Sequence, residues 1–121
     1  MDIAQANKIA AETVKRFGYP KKYPQPKLHI SNVRRGHCRY ETGYISIPAW
    51  VNFYSEAYAQ SYVIHEVCHL IAVHQHNSYT HDATFKRIEK RALRPYGITI
   101  KYGRAYASTL SLNGEPQSKP K

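Results

Sequence analysis

Cysteines, acidic residues and long apolar runs are scarce in this chain, and each shortage excludes a class of protein. The two cysteines, Cys38 and Cys68, do not form a CxxC pair, which excludes a zinc ribbon or a zinc finger. No apolar run approaches the ~20 residues that span a bilayer, so we expect no association with a membrane. The N-terminal residues lack the basic and apolar regions of a secretion signal, and we predict a cytoplasmic protein with reduced thiols.

Acidic residues are outnumbered, since eight Asp and Glu stand against eighteen Lys and Arg and the formal net charge is +10. Such a balance favours polyanionic partners such as nucleic acid, although it can also serve solubility alone. We therefore predict that the protein binds DNA and can associate with the nucleoid. The length of 121 residues suits one domain, and we expect a monomer.

Helical and strand periodicities alternate along the chain. They predict three helices, the first beginning at Asp2, the second at Ser55 and the third between Thr80 and Asp82. The apolar residues of the second helix cover more than one side, as in a helix buried at the centre of a domain. Strands are predicted at 28–33, 38–40, 44–48 and 98–102, and a disordered basic tail at 113–121.

Residues 65–69 read His-Glu-Val-Cys-His, or HExxH, and lie on the predicted second helix. On a helix, positions i and i+4 share a face, so the imidazoles of His65 and His69 can bind one metal ion. Glu66, between them, is suited to be a general base toward a water molecule. A catalytic zinc ion usually has three protein ligands and one open position, so this pair needs a third ligand.

Helix geometry distinguishes the nearby histidines as candidates for the third ligand. His74 lies about 180° round the helix from His65 and points away. His76 lies on the correct face but about 10 Å along the axis from His69, too far to bind the same ion on an unbroken helix. His81 follows the loop after the second helix, and the return of the chain can bring it back beside the pair. We therefore predict that His81 is the third ligand.

Two segments of the sequence together resemble the SprT-like zinc metalloproteases, the family of SprT and Spartan. That family shows HExxH, a variable loop and then H-G-x-x-F at the start of the next helix. Here residues 65–69 match the first part, and residues 81–85, His-Asp-Ala-Thr-Phe, match the second. Asp82 stands where glycine is usual. Residues 43–48 also resemble the strand that precedes the active-site helix in this family.

The resemblance implies a small α+β zincin-like domain at 1–112, with a few-stranded sheet packed against the active-site helix and with flanking helices. It implies that His65, His69 and His81 bind zinc and that Glu66 is the catalytic base of a peptide hydrolase. A substrate strand is then expected to pair with the exposed edge of Tyr44–Ile47.

Two other groups of HExxH enzymes agree less well with the sequence. Metzincins carry HExxHxxGxxH and a methionine turn, whereas the only methionine here is Met1. Thermolysin-like enzymes use a glutamate as the third ligand, and the downstream candidate, Glu89, lies about two turns into the third helix. A metal-dependent hydrolase of another substrate class is a further alternative.

The predicted third helix carries a basic side opposite its apolar stripe. From the resemblance and the charge, we expect the substrate to be a protein bound to DNA, whose phosphates contact this side. Its residues are Lys86, Arg87, Lys90, Arg91 and Arg94. The alternative function is a non-catalytic DNA-binding module with structural zinc, for which Cys68 would be the candidate fourth ligand.

Overall fold

Three helices and two small β-sheets make up the fold in a computed structural model, which describes residues 1–104 and 108–117. The helices are α1 (Ile3–Arg16), α2 (Glu56–His76) and α3 (Ala83–Leu93). The strands are β1 (Lys27–Ser31), β2 (His37–Cys38), β3 (Tyr44–Pro48), β4 (Ile98–Tyr102), β5 (Ser108–Leu112) and β6 (Glu115–Gln117). This composition confirms the predicted α+β class and is consistent with a small zincin-like domain. Within the described ranges, no helix is both long and apolar enough to cross a membrane.

β3 is the central strand of the first sheet, whose order is β1-β3-β2. β1 pairs with it in parallel, with Leu28 opposite Ile45, and β2 pairs antiparallel on the other side, with Cys38 opposite Ile45. The expectation of an open edge on Tyr44–Ile47 is therefore wrong at Ile45 and Ser46, which β2 covers. The reason is topological, because the chain crosses to the far side of the sheet before it returns as β3. The short edge strand is β2.

α2 is the buried centre of the domain, as the spread of its apolar residues predicted. Ser55 caps it by accepting a hydrogen bond from the backbone N–H of Tyr58. α1, α3 and the first sheet all contact this helix, so its apolar residues face neighbours on several sides. Fully buried side chains of the resulting core are Val63, Ile64, Val67, Leu70, Ile71, Ile45, Ile47 and Phe85.

Both flanking helices begin at aspartate caps. Asp2 and Gln5 form a capping box at α1, as predicted. Asp82 accepts hydrogen bonds from the backbone N–H of Phe85 and from the hydroxyl of Ser78, and so begins α3. The aspartate that replaces the usual glycine is thus a helix cap that also holds the preceding loop.

The chain beyond α3 forms a second sheet of order β4-β5-β6. β5 and β6 are antiparallel, and Asn113 and Gly114 turn between them with φ of 48° and 89°. The prediction of a disordered tail is wrong over 113–117, where the chain forms this turn and β6. Asn-Gly between two strands favours a hairpin, even though the surrounding composition is polar. The remainder of the predicted tail, 118–121, lies outside the described residues.

Candidate metal centre

One face of α2 carries both histidines of the HExxH segment. Because they are four residues apart on an unbroken helix, their side chains lie one above the other. The Nε2 atoms of His65 and His69 are 3.2 Å apart. α2 continues as far as His76, which therefore stays about two turns beyond His69 and cannot reach the same ion.

His81 joins this pair from the loop that precedes α3. α2 ends at Asn77, whose left-handed backbone with φ of 53° turns the chain back. The Nε2 atom of His81 lies 3.0 Å from Nε2 of His69. Among the described residues, these three histidines are the group of metal-binding side chains whose ligand atoms all lie within 4.8 Å of one another. The structure thus brings the three predicted ligands together in a position to hold an ion.

The distances from Nε2 of His69 to Nε2 of His65 and of His81 fit a divalent ion. Tetrahedral ligands at zinc–nitrogen distances of about 2.0–2.1 Å lie about 3.3 Å apart. The observed separations are 3.2 Å between His65 and His69 and 3.0 Å between His69 and His81. Nδ1 of His69 is buried and has no hydrogen-bond partner within the described ranges, so this ring is engaged only through Nε2.

Burial and mutual repulsion keep most of this cluster neutral. Burial, together with the nearby His65 and His81, lowers the pKa of His69 to about 3. Burial and the proximity of His65 also lower the pKa of His81. Burial acts in the same direction on His65, but the hydrogen bond and charge of Glu89 outweigh it and raise the pKa of His65. Neutral imidazole is the form that binds metal, so His69 and His81 are ready to do so at neutral pH.

Glu89 orients His65 from the side away from the other two rings. Its Oε2 lies 2.6 Å from Nδ1 of His65, and its Oε1 accepts a hydrogen bond of 2.7 Å from the hydroxyl of Tyr102. A carboxylate at Nδ1 favours the Nδ1–H tautomer, which leaves the lone pair of Nε2 for a metal ion. Glu89 is therefore a partner of a ligand rather than the third ligand.

The sequence reasoning missed this role of Glu89, although a signal for it is present. Glu89 is the only acidic residue of α3, and it lies among the apolar positions Phe85, Ile88 and Ala92 instead of on the basic side. Its side chain is 2% exposed. A single carboxylate among core-facing apolar residues needs a buried hydrogen-bond partner. A metal-binding histidine of the HExxH segment can be that partner.

Glu66 lies in the same cleft and is 6% exposed. Burial raises its pKa to about 7, while the charge of His65 opposes this shift and the charge of Glu89 supports it. A carboxyl group with such a pKa can both accept and return a proton near neutral pH.

A cleft of about 720 Å³ joins these groups to a second set of side chains. The three histidines, Glu66 and Glu89 line one end of it. Trp50, Tyr58, Tyr62, Arg34 and Arg35 line the other. His37 and Cys38 of the edge strand β2 also line the cleft. An extended chain lying in this cleft would pass the histidines and the aromatic rings in turn.

Two of the predicted DNA-binding residues lie close to the metal centre. The ammonium nitrogens of Lys86 and Lys90 are 5.3 Å and 5.5 Å from the centroid of the Tyr102 ring. Lys86 is also near enough to His81 to contribute to the lowering of its pKa. The N-terminal part of the basic side thus begins beside the cleft.

The other three predicted DNA-binding residues point elsewhere on α3. The guanidinium of Arg91 lies 4.7 Å from the centroid of the Phe17 ring, while Arg87 and Arg94 are exposed. The five cations therefore share one broad side of the helix but have different neighbours. Lys90 and Arg91 are exposed as well, and Lys86 is half-buried.

Histidines outside the centre pack against other side chains, as expected for His29 and His37. The ring of His29 stacks on Tyr44 at 4.4 Å between centroids, and His37 stacks on the same ring at 6.1 Å. His74 points away from the cleft, and its Nε2 lies 2.7 Å from the backbone oxygen of Tyr40.

A comparison with protein families agrees with this geometry. The sequence model of the SprT-like family matches residues 6–102. No match was found among curated proteins or among solved structures. The matched range contains the HExxH segment, His81, Glu89 and Tyr102, and it ends before the hairpin of β5 and β6.

Proposed function

Because the chain belongs to the SprT-like family, we propose that it is a zinc-dependent metallopeptidase acting on proteins bound to DNA. The observation that supports this most directly is the convergence of three Nε2 atoms beside the buried carboxyl group of Glu66. These groups face a cleft large enough for an extended peptide segment.

Glu66 is the proton carrier of the proposed reaction. A zinc ion held by His65, His69 and His81 would supply a Lewis acid that acidifies water and polarises a carbonyl group. The carboxylate of Glu66 takes the proton of the attacking water, and its protonated form then donates to the leaving amine. A pKa of about 7 makes both forms accessible near neutral pH.

Glu89 and Tyr102 support the proposed reaction by holding one of the three histidines. The carboxylate holds the ring of His65 through Nδ1, and the tyrosine hydroxyl holds the carboxylate. Ligand basicity and ring orientation both depend on such partners.

The association with DNA rests on charge. The formal net charge is +10, Arg87 and Arg94 are exposed, and Lys86 lies beside the metal centre. Phosphates held along α3 would bring a DNA-bound protein to the mouth of the cleft. We propose the cytoplasm, at the nucleoid, as the place of action.

A non-catalytic module with structural zinc has weaker support. A structural zinc site is closed by four protein ligands, whereas the described residues bring together three. Cys68, the candidate for a fourth ligand, is fully buried in the core and is not part of that group.

Cleavage of casein by the zinc-loaded protein tests the proposal. We expect a chelator to abolish cleavage and added zinc to restore it. Glu66→Gln should keep the zinc content of the parent and lose activity by about a hundredfold or more. Glu56→Gln changes an exposed carboxylate on the same helix outside the cleft and should cleave like the parent. A Glu66→Gln variant that cleaves as fast as the parent would overturn the proposal.

A further inference from the structure

The face of α2 that carries the metal ligands continues towards the start of the helix with aromatic side chains. Tyr58, Tyr62, His65 and His69 are spaced by four, three and four residues, which keeps them within an arc of about 60°. All four line the same cleft. The cleft therefore has a metal end and an aromatic end on one continuous helix face.

Trp50 completes the aromatic end. Its ring centroid lies 5.7 Å from that of Tyr62 and 6.4 Å from that of Tyr58. The Nε1–H of Trp50 donates to the backbone oxygen of Arg34, and the hydroxyl of Tyr62 accepts from the backbone N–H of Gly36. Two polar atoms of the aromatic end are thus occupied in holding residues 34–36. The surface that these rings offer to the cleft is therefore mainly apolar.

Charge decides which kind of side chain suits this apolar surface. Aromatic rings can bind cations, but the exposed and positively charged residues Arg34 and Arg35 line this end of the cleft and repel them. Within the described ranges, the carboxylates that line the cleft are Glu66 and Glu89, both at the metal end. An uncharged aromatic or large apolar side chain is the occupant that the aromatic end favours.

The helix also sets the distance between the two ends. The midpoint of Tyr58 and Tyr62 is seven residues before the midpoint of His65 and His69, which corresponds to about 10 Å along the axis. An extended peptide advances by about 3.3 Å per residue. A side chain at the aromatic end therefore belongs to a residue about three positions from the bond at the metal end.

We propose that Trp50, Tyr58 and Tyr62 form a subsite for an aromatic or large apolar side chain of the substrate, about three residues from the cleaved bond. The position relative to the bond rests on the proposed peptidase function. Binding of the side chain does not require cleavage, so the two proposals can fail separately.

The fluorescence of Trp50, the only tryptophan of the chain, reports on occupancy of this subsite. The zinc-loaded Glu66→Gln variant, which is expected not to cleave, is titrated with a blocked peptide of Gly, Ser and Ala that contains one Phe. The controls are the same peptide with Ala or Lys in place of Phe. We expect a saturable change with the Phe peptide and affinity lower by about tenfold or more for both controls.

A matched pair of substitutions separates binding from packing. Tyr54 contacts Trp50 and Tyr58 with ring centroids 6.1 Å and 5.6 Å apart, but it does not line the cleft. Tyr58→Leu should lower the affinity for the Phe peptide by about tenfold. Tyr54→Leu removes a ring from the same cluster and should change this affinity by less than about twofold. Tyr58→Phe keeps the ring and should bind like the parent.

Cleavage sites mapped by mass spectrometry on a mixture of unfolded proteins give the second readout. We expect Phe, Tyr, Trp or Leu to be enriched about three positions from the cleaved bond, and Tyr58→Leu to lose this enrichment.

Equal affinity for the Phe and Ala peptides would overturn the subsite, as would equal effects of Tyr54→Leu and Tyr58→Leu. A response of Trp50 to single-stranded DNA but to no peptide would assign the aromatic end to base stacking instead. If the zinc-loaded parent binds the Phe peptide in preference to the controls but cleaves neither casein nor the unfolded proteins, the subsite stands and the peptidase function is rejected.

Discussion

Nδ1 of His65 lies 2.6 Å from the carboxylate of Glu89, and this contact joins α2 to α3 at the metal centre. The same carboxylate accepts a hydrogen bond from Tyr102 on β4. The direction in which His65 presents its Nε2 lone pair therefore depends on three elements that are distant in sequence.

Glu89→Gln tests this contact directly. The amide has the shape of the carboxylate but lacks its charge, so we expect the affinity for zinc to fall by about ten- to a hundredfold. Competition with a chromogenic chelator measures the affinity. Tyr102→Phe removes only the hydroxyl and should cause a smaller loss in the same direction.

Two controls separate a role in metal binding from a role in folding. Glu115→Gln changes an exposed carboxylate on β6 and should bind zinc like the parent. Thermal unfolding of each variant with and without zinc gives the stabilisation due to the ion. If Glu89→Gln lowers the stability of both forms equally and leaves zinc affinity unchanged, Glu89 serves packing alone.

The raised pKa of Glu66 predicts how the stability of the metal-free protein depends on pH. The folded pKa is about 7 and the ordinary value is 4.5, so the unfolded chain releases the proton first as pH rises. The stability that the neutral carboxyl group supports is complete below about pH 4.5 and is lost as the pH rises through 7. Glu66→Gln, which cannot ionise, keeps this stability.

Urea unfolding in the presence of a chelator measures that difference. At about pH 8, Glu66→Gln should be more stable than the parent by up to about 3 kcal/mol, and the difference should shrink towards zero near pH 4. Glu56→Gln, on the exposed first turn of the same helix, is the control for a carboxylate-to-amide change outside the cleft. A difference between Glu66→Gln and the parent that stays constant with pH would contradict the burial argument.

The basic side of α3 predicts a salt-dependent affinity for DNA. Replacing the exposed Arg87 and Arg94 with Ser should weaken binding and reduce the slope of log affinity against log salt by about 1 to 2. Fluorescence anisotropy with labelled duplex DNA measures both. As a control, replacing the exposed Lys8 and Lys15 of α1 with Ser removes the same amount of positive charge from another helix and should reduce the slope less. Equal slopes for the two double variants would show that α3 has no special role.

A side chain at position 36 would clash with its neighbours at the aromatic end of the cleft. A Cβ atom there would lie 2.5 Å from Cε1 of Tyr62 and 2.9 Å from the backbone oxygen of Ser46. The backbone oxygen of Ser46 is fixed by the pairing of β3 with β2. The hydroxyl of Tyr62 accepts a hydrogen bond from the backbone N–H of Gly36 itself. Gly36→Ala should therefore destabilise the fold by about 1–3 kcal/mol in urea unfolding. Combined with Tyr62→Leu, it should cost less than the sum of the two single changes, because they share this contact.

Local chemistry explains which parts of the fold the sequence could predict. Asp2, Ser55 and Asp82 are helix caps whose partners lie within three residues, so their signals are contained in the chain nearby. The pair His65 and His69 needs only helix geometry to converge. The approach of His81 depends in addition on the return of the chain after α2, which brings its imidazole beside His69.

Long-range pairing explains what was missed. The central position of β3 depends on which side of the sheet β2 joins, and no local pattern encodes that choice. The contact of Glu89 with His65 spans two helices, and its hydrogen bond to Tyr102 reaches a strand of the other sheet. The hairpin at 113–117 is different, since its Asn-Gly signal was local but was outweighed by the polar composition around it.

The hydroxyl of Tyr102 has a thermodynamic consequence for the whole second sheet. Through Glu89, the first strand of that sheet and an ion bound by the histidines would act on the same imidazole ring. Coupling of this kind is reciprocal, so whatever metal binding contributes to the docking of β4, the docking of β4 contributes equally to metal affinity. Loss of the ion is therefore expected to weaken the docking of β4 by the same free energy that loss of this docking would take from metal binding.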